Sequence, residues 1–382
     1  MRRQLTVVTV LVIMGIVAFV MQTRDEQTSE VAASLSTVVT ADIDYSAFQQ
    51  ANESDRIVFP DDFGLHLDYL IEWWYYTGNL QTVDGREFGY QLTFFRRALS
   101  NPLADNRVSE FATSDVYMAH FSITDVENSD FYTFERFQRG GELASAVATP
   151  YQVWLDNWSV KEVGERIYKL RAEAGSEISI NLTLTDLKQP VLQGDQGLSV
   201  KNSETGYASH YFSQTRLESY GTLTINNKRF SVTGLSWMDR EWSTPTDGDI
   251  SGWDWFALHL SDGRDLMFYQ LRKPDGSIED ATSGALVEVD GSNKALSKDD
   301  VQLEVLAHWN NRDGDSYPAQ WRLAIPSQNL DLIVTPLVRD QEIRGSQTYW
   351  EGAVNVVDTL TGLSGSGYVE LTGYADDLSY MR

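Results

Sequence analysis

The sequence predicts an all-β protein whose body contains two related antiparallel β domains. Short segments of alternating apolar and polar residues recur from residue 57 onward, and glycine, aspartate and asparagine turns separate them. Aromatic residues, which strands favour, make up 12% of the chain. An aromatic segment followed by a D-G-R turn also occurs twice. Many short strands at this spacing indicate a sandwich or barrel rather than a parallel α/β sheet.

The first 22 of the 382 residues predict a hydrophobic helix that serves as a signal peptide or a membrane anchor. Arg2 and Arg3 precede an apolar run from Leu5 to Met21, and polar residues follow it. This order is typical of export, and the two arginines favour a cytoplasmic N-terminus. Because no small-residue cleavage motif directly follows the run, an uncleaved anchor is slightly favoured. We therefore expect a polar linker over residues 23–56, and the remaining chain, to lie outside the cytoplasmic membrane, either periplasmic or secreted.

The strongest strand signals lie in five segments between residues 88 and 271. They are Phe88–Phe94, Val116–Ile123, Gly221–Ile225, Arg229–Leu235 and Leu266–Leu271. Asn226 and Asn227 separate the third segment from the fourth and predict a tight hairpin turn, since asparagine tolerates positive φ. Among the remaining segments, Phe131–Phe137 is the best candidate for a short helix.

Two matched aromatic hairpins indicate an internal repeat. Trp73–Leu80 precedes the turn residues Asp84–Arg86, and Trp253–Leu260 precedes Asp262–Arg264. Both turns read D-G-R, and glycine supplies the positive φ that a tight hairpin needs. The repeat therefore predicts two related β domains. Their expected limits are residues 57–244 and 245–382.

The composition excludes several classes of function. A formal charge of −25, from 30 basic and 55 acidic residues, argues against a nucleic-acid partner. The absence of cysteine excludes disulfides, thiolate metal ligands and a cysteine nucleophile. The five histidines lack metal-ligand spacing, and there is no G-x-S-x-G, H-E-x-x-H or glycine-rich phosphate motif. We therefore expect no metal and no cofactor, and the sequence does not support a serine hydrolase.

Three segments place carboxyl groups among tryptophans: Glu72–Tyr76, Trp237–Trp242 and Trp253–Trp255. Burial beside indole rings raises the pKa of a carboxyl, which can then donate a proton near neutral pH. Aromatic faces can also stabilise a developing carbocation. The candidate proton donors are Asp254, Glu241 and Asp239. The candidate ligand-binding residues are Trp73, Trp74, Tyr75, Tyr211, Trp237, Trp242, Trp253 and Trp255.

A structural role for the same residues is the competing interpretation. Side chains alternate along a strand, so Glu72 and Trp74 share one face, opposite to Trp73. By the same rule, Asp254 points away from the two tryptophans that flank it. In the structural interpretation, Glu72 forms a buried ion pair with Arg240, and the tryptophans fill the core.

Five motifs, in order along the chain, resemble the AttH/CrtC family. They are F-P-D-D-F-G-L-H at 59–66, E-W-W-Y-Y-T-G-N-L at 72–80, G-Y-Q-L-T-F-F-R at 89–96, W-M-D-R-E-W-S at 237–243 and G-W-D-W-F at 252–256. The resemblance extends from residue 57 to the C-terminus and implies two lipocalin-like, calycin-type β-barrel domains. The family includes carotenoid hydratases, kievitone hydratases, related pericyclases and members labelled secreted hydrolases. Its carotenoid hydratases carry a histidine in the segment that matches Asp239–Trp242, where this chain has Arg240.

Three functions remain open at the level of the sequence. The first is an extracytoplasmic lipocalin-like protein that binds a lipid, an isoprenoid or another lipophilic small molecule, beside a transport machinery. The second is a hydratase or isomerase that protonates an alkene with a carboxyl held among tryptophans. The third is a structural partner whose aromatic residues only fill two cores. The expected partners are an apolar small molecule or lipid, and the membrane through the N-terminal segment.

Overall fold

The structure is a computed structural model that describes residues 45–100, 114–245 and 250–376. The N-terminal segment predicted to be a signal peptide or anchor, and most of the predicted linker, lie outside the described residues. Those described all belong to one compact unit, which begins at Ile43. None of the helices in these ranges has the length and apolar character needed to cross a membrane.

The described chain is almost entirely strand, which confirms the all-β prediction. Its helices are three single turns of 3-10 helix, Tyr45–Ala47, Asp61–Phe63 and Pro326–Gln328. Two antiparallel sheets account for the rest of the regular structure.

The first sheet has 13 strands. They are β1 Ile71–Gln81, β2 Glu87–Ala98, β3 Asp115–Asp125, β4 Asp130–Arg139, β5 Ala144–Ala148, β6 Tyr151–Leu155, β7 Trp158–Gly164, β8 Ile167–Ala174, β9 Ile178–Asp186, β10 Val191–Leu192, β11 Leu198–Val200, β12 Ala208–Ile225 and β13 Lys228–Ser243.

The second sheet has 10 strands. They are β14 Gly252–Leu260, β15 Asp265–Arg272, β16 Ser283–Val287, β17 Asn293–Ser297, β18 Gln302–Asn310, β19 Ser316–Ile325, β20 Leu330–Pro336, β21 Glu342–Arg344, β22 Thr348–Asp358 and β23 Ser364–Leu371.

The two sheets share one topology. The first follows the order β4-β3-β2-β1-β13-β12-β9-β8-β7-β6-β5, and the second follows β17-β16-β15-β14-β23-β22-β20-β19-β18. In each sheet the first strand pairs with a late strand: β1 pairs with β13, and β14 pairs with β23. The first four strands of each sheet therefore form one side of the strand order, and the later strands form the other. This shared order matches the repeat of aromatic hairpins in the sequence.

The predicted hairpins are present. The turns that join β1 to β2 and β14 to β15 contain Gly85 at φ 87° and Gly263 at φ 93°. Asn226 and Asn227, at φ 51° and 64°, join β12 to β13. The helix predicted over Phe131–Phe137 is wrong, because this segment lies within strand β4, where it pairs with β3 along its whole length.

Several strands are buried on both faces, because the sheets pack against each other as well as around their own cores. In β1, Trp74 and Tyr76 point into the core of the first sheet, while Tyr75 points to the other sheet. In β14, Phe256 points into the core of the second sheet and Trp255 points to the first. Outer faces that are normally solvated in antiparallel sheets are therefore buried here.

The sheets approach closely at Gly89 in β2. A Cβ atom at this position would lie 2.6 Å from the Cβ of Ala353 in β22 and 2.8 Å from the Tyr368 hydroxyl in β23. A larger residue at position 89 would therefore push the two sheets apart.

A buried charge cluster also joins the sheets. Asp265, the first residue of β15, is fully buried. Its carboxylate accepts hydrogen bonds from Lys188 at 2.7 Å, Thr215 at 3.0 Å and Arg216 at 2.6 Å, which all precede the second sheet in the chain. His259 in β14 lies 3.0 Å away. Burial alone would raise the pKa of Asp265, but the hydrogen bonds and charges of His259 and Arg216 lower it to about 2.

We expect Asp265→Asn to lower the free energy of unfolding by about 3–5 kcal/mol at neutral pH, because Lys188 and Arg216 stay buried without their counter-ion. The folded-state pKa lies below the ordinary value of 3.8. The stabilisation is therefore present above that value and is lost as the pH falls from about 4 towards 2. Denaturant unfolding at a series of pH values measures both effects. Asp262→Asn, in the partly exposed turn before β15, is the matched control, and an equal loss there would contradict the assignment.

Candidate functional site

A cavity lies between the outer faces of the two sheets. It encloses about 1260 Å³, including the part that is open to solvent. We call it the intersheet cavity, and its aromatic wall consists of Trp73, Tyr75, Tyr211, Trp253, Trp255 and Tyr269. The first three come from the first sheet and the others from the second. The inward faces of both sheets, in contrast, are filled by buried apolar side chains.

Five of the eight aromatic residues predicted to bind a ligand line this cavity. They are Trp73, Tyr75, Tyr211, Trp253 and Trp255. The structure places the other three elsewhere. Trp74 and Trp242 lie in the core of the first sheet, and Trp237 packs behind Trp255 in the contact between the sheets. Strand alternation accounts for Trp74 and Trp242, since neighbours along a strand face opposite sides, whereas Trp237 lies on the outer face but does not reach the cavity.

Glu72 and Arg240 form an ion pair inside the first sheet and not in the cavity. Both side chains are fully buried, and Arg96 also contacts Glu72 at 3.0 Å. Burial alone would raise the pKa of Glu72, but the charges of Arg240 and Arg96 hold it far below its ordinary value. The Arg240 guanidinium lies 4.0 Å from the centre of the Trp74 ring. This arrangement matches the structural interpretation of the pair.

Asp239 lines the cavity and is almost completely buried. Its carboxylate accepts hydrogen bonds from the Tyr211 hydroxyl at 2.7 Å, from the Trp237 indole at 2.8 Å and from Ser213. Burial raises its pKa to about 7, although the hydrogen bonds from these donors lower it. All three donors are neutral, so none of these contacts places a cation on the carboxylate.

Glu241 also lines the cavity, but it has a cationic partner. Lys201 lies 3.0 Å from it, and the same ammonium group is 4.3 Å from the ring centre of Tyr269 and 5.0 Å from that of Tyr211. Burial alone would lower the pKa of Lys201, but the charge of Glu241 raises it. Glu241 is therefore engaged in an ion pair with Lys201.

Asp254 lies outside the cavity lining. It points from β14 into the second sheet, where it pairs with Arg272 and accepts a hydrogen bond from the Tyr374 hydroxyl at 2.9 Å. Burial raises its pKa, and Arg272 opposes the rise. The strand alternation that brings Trp253 and Trp255 to the cavity is the reason Asp254 is excluded from it.

A pair of glutamates that sequence analysis did not single out faces the cavity from the second sheet. Glu351 and Glu370 are direct partners on the adjacent strands β22 and β23. Tyr75 donates a hydrogen bond to Glu351 at 2.5 Å, and the Trp253 indole donates one to Glu370 at 2.5 Å. Burial, followed by the charge of Glu370, raises the pKa of Glu351 well above its usual range. Burial raises that of Glu370 to about 7, although Trp253 and Glu351 donate hydrogen bonds to it.

Both shifts favour a proton held by the pair, since a buried carboxyl beside a second acid is difficult to ionise. Glu351 is the deeper, protonated member, and Glu370 is the member that lines the cavity. Glu370 lies between Val369 and Leu371, the same signal that marks Glu72 in the sequence, and Glu351 directly follows Trp350. Their pairing is not visible in the sequence, because it depends on the register of two strands.

Fold and site together define the class of the protein: two lipocalin-like barrels with an aromatic, carboxyl-bearing cavity between them. The chain belongs to the AttH-like family, whose sequence profile matches residues 50–374. The resemblance predicted from the five motifs is therefore confirmed. No curated protein matches the sequence.

Three solved structures are similar over most of their length. An AttH candidate from Nitrosomonas europaea shares 32% identity and a TM-score of 0.77, covering 86% of this chain and 100% of that one. Kievitone hydratase from Nectria haematococca shares 15% identity with a TM-score of 0.64, covering 86% and 96%. CghA shares 13% identity with a TM-score of 0.52, covering 87% and 95%. The last two likenesses show the fold alone.

We expect Glu351→Gln to flatten the pH dependence of stability above neutral pH. A carboxyl that stays protonated in the folded protein but ionises on unfolding lowers stability as pH rises above its unfolded pKa, by about 1.4 kcal/mol per pH unit. The glutamine side chain of the variant does not ionise in this range, so the folded variant retains no such proton. Unfolding free energies between about pH 7 and pH 9 measure the difference, with the exposed Glu218→Gln as control. A variant whose stability falls as steeply as that of the wild type would show that Glu351 is not protonated.

Proposed function

We propose that the protein binds a lipophilic small molecule in the intersheet cavity. The aromatic wall supports this proposal, because ligand pockets are mostly apolar with a few placed polar groups. The polar groups lie on both sides of it, with Asp239 on the first sheet and Glu370 on the second. A ligand with an unsaturated, planar body and one polar end fits this distribution.

The glutamate pair favours a second function at the same site, an acid-catalysed hydration or isomerisation. Glu370 is hydrogen-bonded to Trp253 and is the register partner of Trp255 in β14. In the proposed step the proton of the pair moves from Glu351 to Glu370, and the π electrons of an alkene take it from Glu370. The indole faces stabilise the resulting cation. Water then adds to the cation to give an alcohol, or the cation loses a neighbouring proton to give an isomeric alkene, and the proton released in either case returns to the pair.

A similar solved structure agrees with this class of reaction, but the proposal does not depend on that similarity. One fold neighbour is named a hydratase, and at 15% identity the likeness extends to the fold. The observation that carries the proposal is the pairing of Glu351 with Glu370 next to Trp253 and Trp255. The glutamate pair replaces Asp254 and Glu241 as the candidate proton donor, because both of those residues have cationic partners.

From the N-terminal basic and apolar segment we further propose that the protein acts outside the cytoplasmic membrane. Alkaline phosphatase fused after residue 56 is active only when it has been exported, so an inactive fusion would contradict this placement.

Binding is tested with N-phenyl-1-naphthylamine, a neutral lipophilic dye whose fluorescence rises in apolar sites. We expect Trp255→Ala to weaken dye binding at least about tenfold, because a large part of the aromatic wall is lost. Trp309→Ala, which removes an indole on β18 outside the cavity lining, is the matched control. Equal affinities of the wild type and the Trp255 variant would place the dye elsewhere and contradict the proposal.

Catalysis is tested with geraniol and farnesol in deuterated water, where either reaction adds deuterium to carbon. We expect Glu370→Gln to lower the rate of deuterium incorporation by about 100-fold or more, the usual contribution of a general acid. Dye binding by this variant should stay within a few-fold of the wild type. Glu218→Gln on β12 serves as control, and mass spectrometry measures the products. A Glu370 variant that is as active as the wild type would exclude this carboxyl as the proton donor.

A further inference from the structure

A second group that can transfer protons faces the intersheet cavity from the side of β3 and β22. Tyr349, at the start of β22, and His120, in β3, both line the cavity. The Tyr349 hydroxyl lies 2.7 Å from His120 Nδ1, and His120 Nε2 lies 3.0 Å from a carboxylate oxygen of Glu135 in β4. The two rings are stacked, with centres 5.6 Å apart. The three groups form a continuous hydrogen-bonded chain that ends at the cavity.

The hydrogen-bonded chain of Tyr349, His120 and Glu135 has a defined direction of donation. Glu135 also accepts hydrogen bonds from the backbone amide and the hydroxyl of Ser346, at 2.9 Å and 2.6 Å. These donors and His120 lower the pKa of Glu135 against the effect of burial, so it is an ionised acceptor. Its partner Nε2 must then carry the proton, which leaves Nδ1 free to accept from the Tyr349 hydroxyl. His120 is thereby held in the tautomer that can take a proton from Tyr349.

This chain lies beside the glutamate pair. Tyr349 and Glu351 are two residues apart on β22 and therefore point to the same face. Glu370, the member of the pair that lines the cavity, is the register partner of Glu351 on the adjacent strand β23. The proposed proton donor and proton acceptor therefore lie on adjacent strands and both line the cavity.

We propose that Tyr349 is the catalytic base of the site, with His120 as the acceptor behind it and Glu135 as a positioning residue; this rests on the hydratase or isomerase function proposed above. As water adds to the substrate cation, one of its protons passes to the Tyr349 oxygen. The hydroxyl proton of Tyr349 passes at the same time to His120 Nδ1, and Glu135 stabilises the imidazolium. The substrate has gained one proton from Glu370 and one hydroxide from water, and solvent returns the proton from His120 to the glutamate pair.

The first test observes the protein without any substrate. In protein labelled with ¹⁵N-histidine, the signals of His120 are identified among the five histidines by their loss in His120→Gln. We expect one protonated ring nitrogen and one free ring nitrogen at neutral pH, and Tyr349→Phe should shift chiefly the free one. Glu135→Gln should release the preference for this tautomer. A His120 that is protonated on Nδ1, or on both nitrogens, would overturn the proposal whether or not a substrate is found.

The second test uses deuterium incorporation into farnesol. We expect Tyr349→Phe and Glu135→Gln each to lower the rate by about 100-fold, the scale of general base catalysis, with dye binding unchanged. Glu135→Asp should recover part of the rate if the carboxylate acts by holding His120. Tyr220→Phe, which alters an exposed tyrosine of β12, is the matched control.

The two proposals fail in different ways. If the wild type is active and Tyr349→Phe is equally active, the base assignment is wrong while the acid assignment stands. If the wild type acts on neither geraniol nor farnesol, that result counts against the proposed reaction on prenyl alcohols, and the ¹⁵N signals of His120 still decide the hydrogen-bonded chain by themselves.

Discussion

The structure depends on the burial of two outer sheet faces against each other. Strands β2, β3 and β14 are buried on nearly every residue, whereas β9 alternates between buried and half-buried positions. The inner faces form the two cores, which contain tryptophans such as Trp74 and Trp242, and the outer faces carry the aromatic and carboxyl groups that line the cavity. Because planar rings project from two twisted surfaces, their packing leaves space between them. The contact that joins the sheets therefore also creates the cavity.

Hydrogen bonds at the cavity cross from one sheet to the other. Tyr75 reaches Glu351, and the Trp255 indole reaches the Tyr211 hydroxyl at 3.2 Å. His120 in the first sheet contacts Tyr349 in the second. Neither sheet contains the site alone, since each wall supplies the partners of the polar groups on the opposite wall. Docking of the sheets and assembly of the site are one event.

The buried carboxyls divide by the charge of their partners. Glu72 and Asp265 are matched by arginine or lysine, which lowers their pKa and makes them ionised parts of the framework. Asp239 has only neutral donors, and Glu351 has another acid beside it, so burial keeps their pKa high. A desolvated carboxyl without a cation is costly to ionise and readily holds a proton. Partner charge therefore separates Glu72 and Asp265 from Asp239 and Glu351, although all four carboxyls are buried.

The sequence by itself determined the all-β class, the hairpins with their positive-φ turns and the family, because these depend on local pattern and on motifs that are contiguous in the chain. It also placed Asp254 on the face opposite its tryptophans, which follows from strand alternation. Only the tertiary structure decided that the cavity lies between the sheets and which aromatic residues reach it. The pairing of Glu351 with Glu370 and of His120 with Tyr349 depends on strand register and sheet docking, which join residues far apart in the chain and leave no local signal.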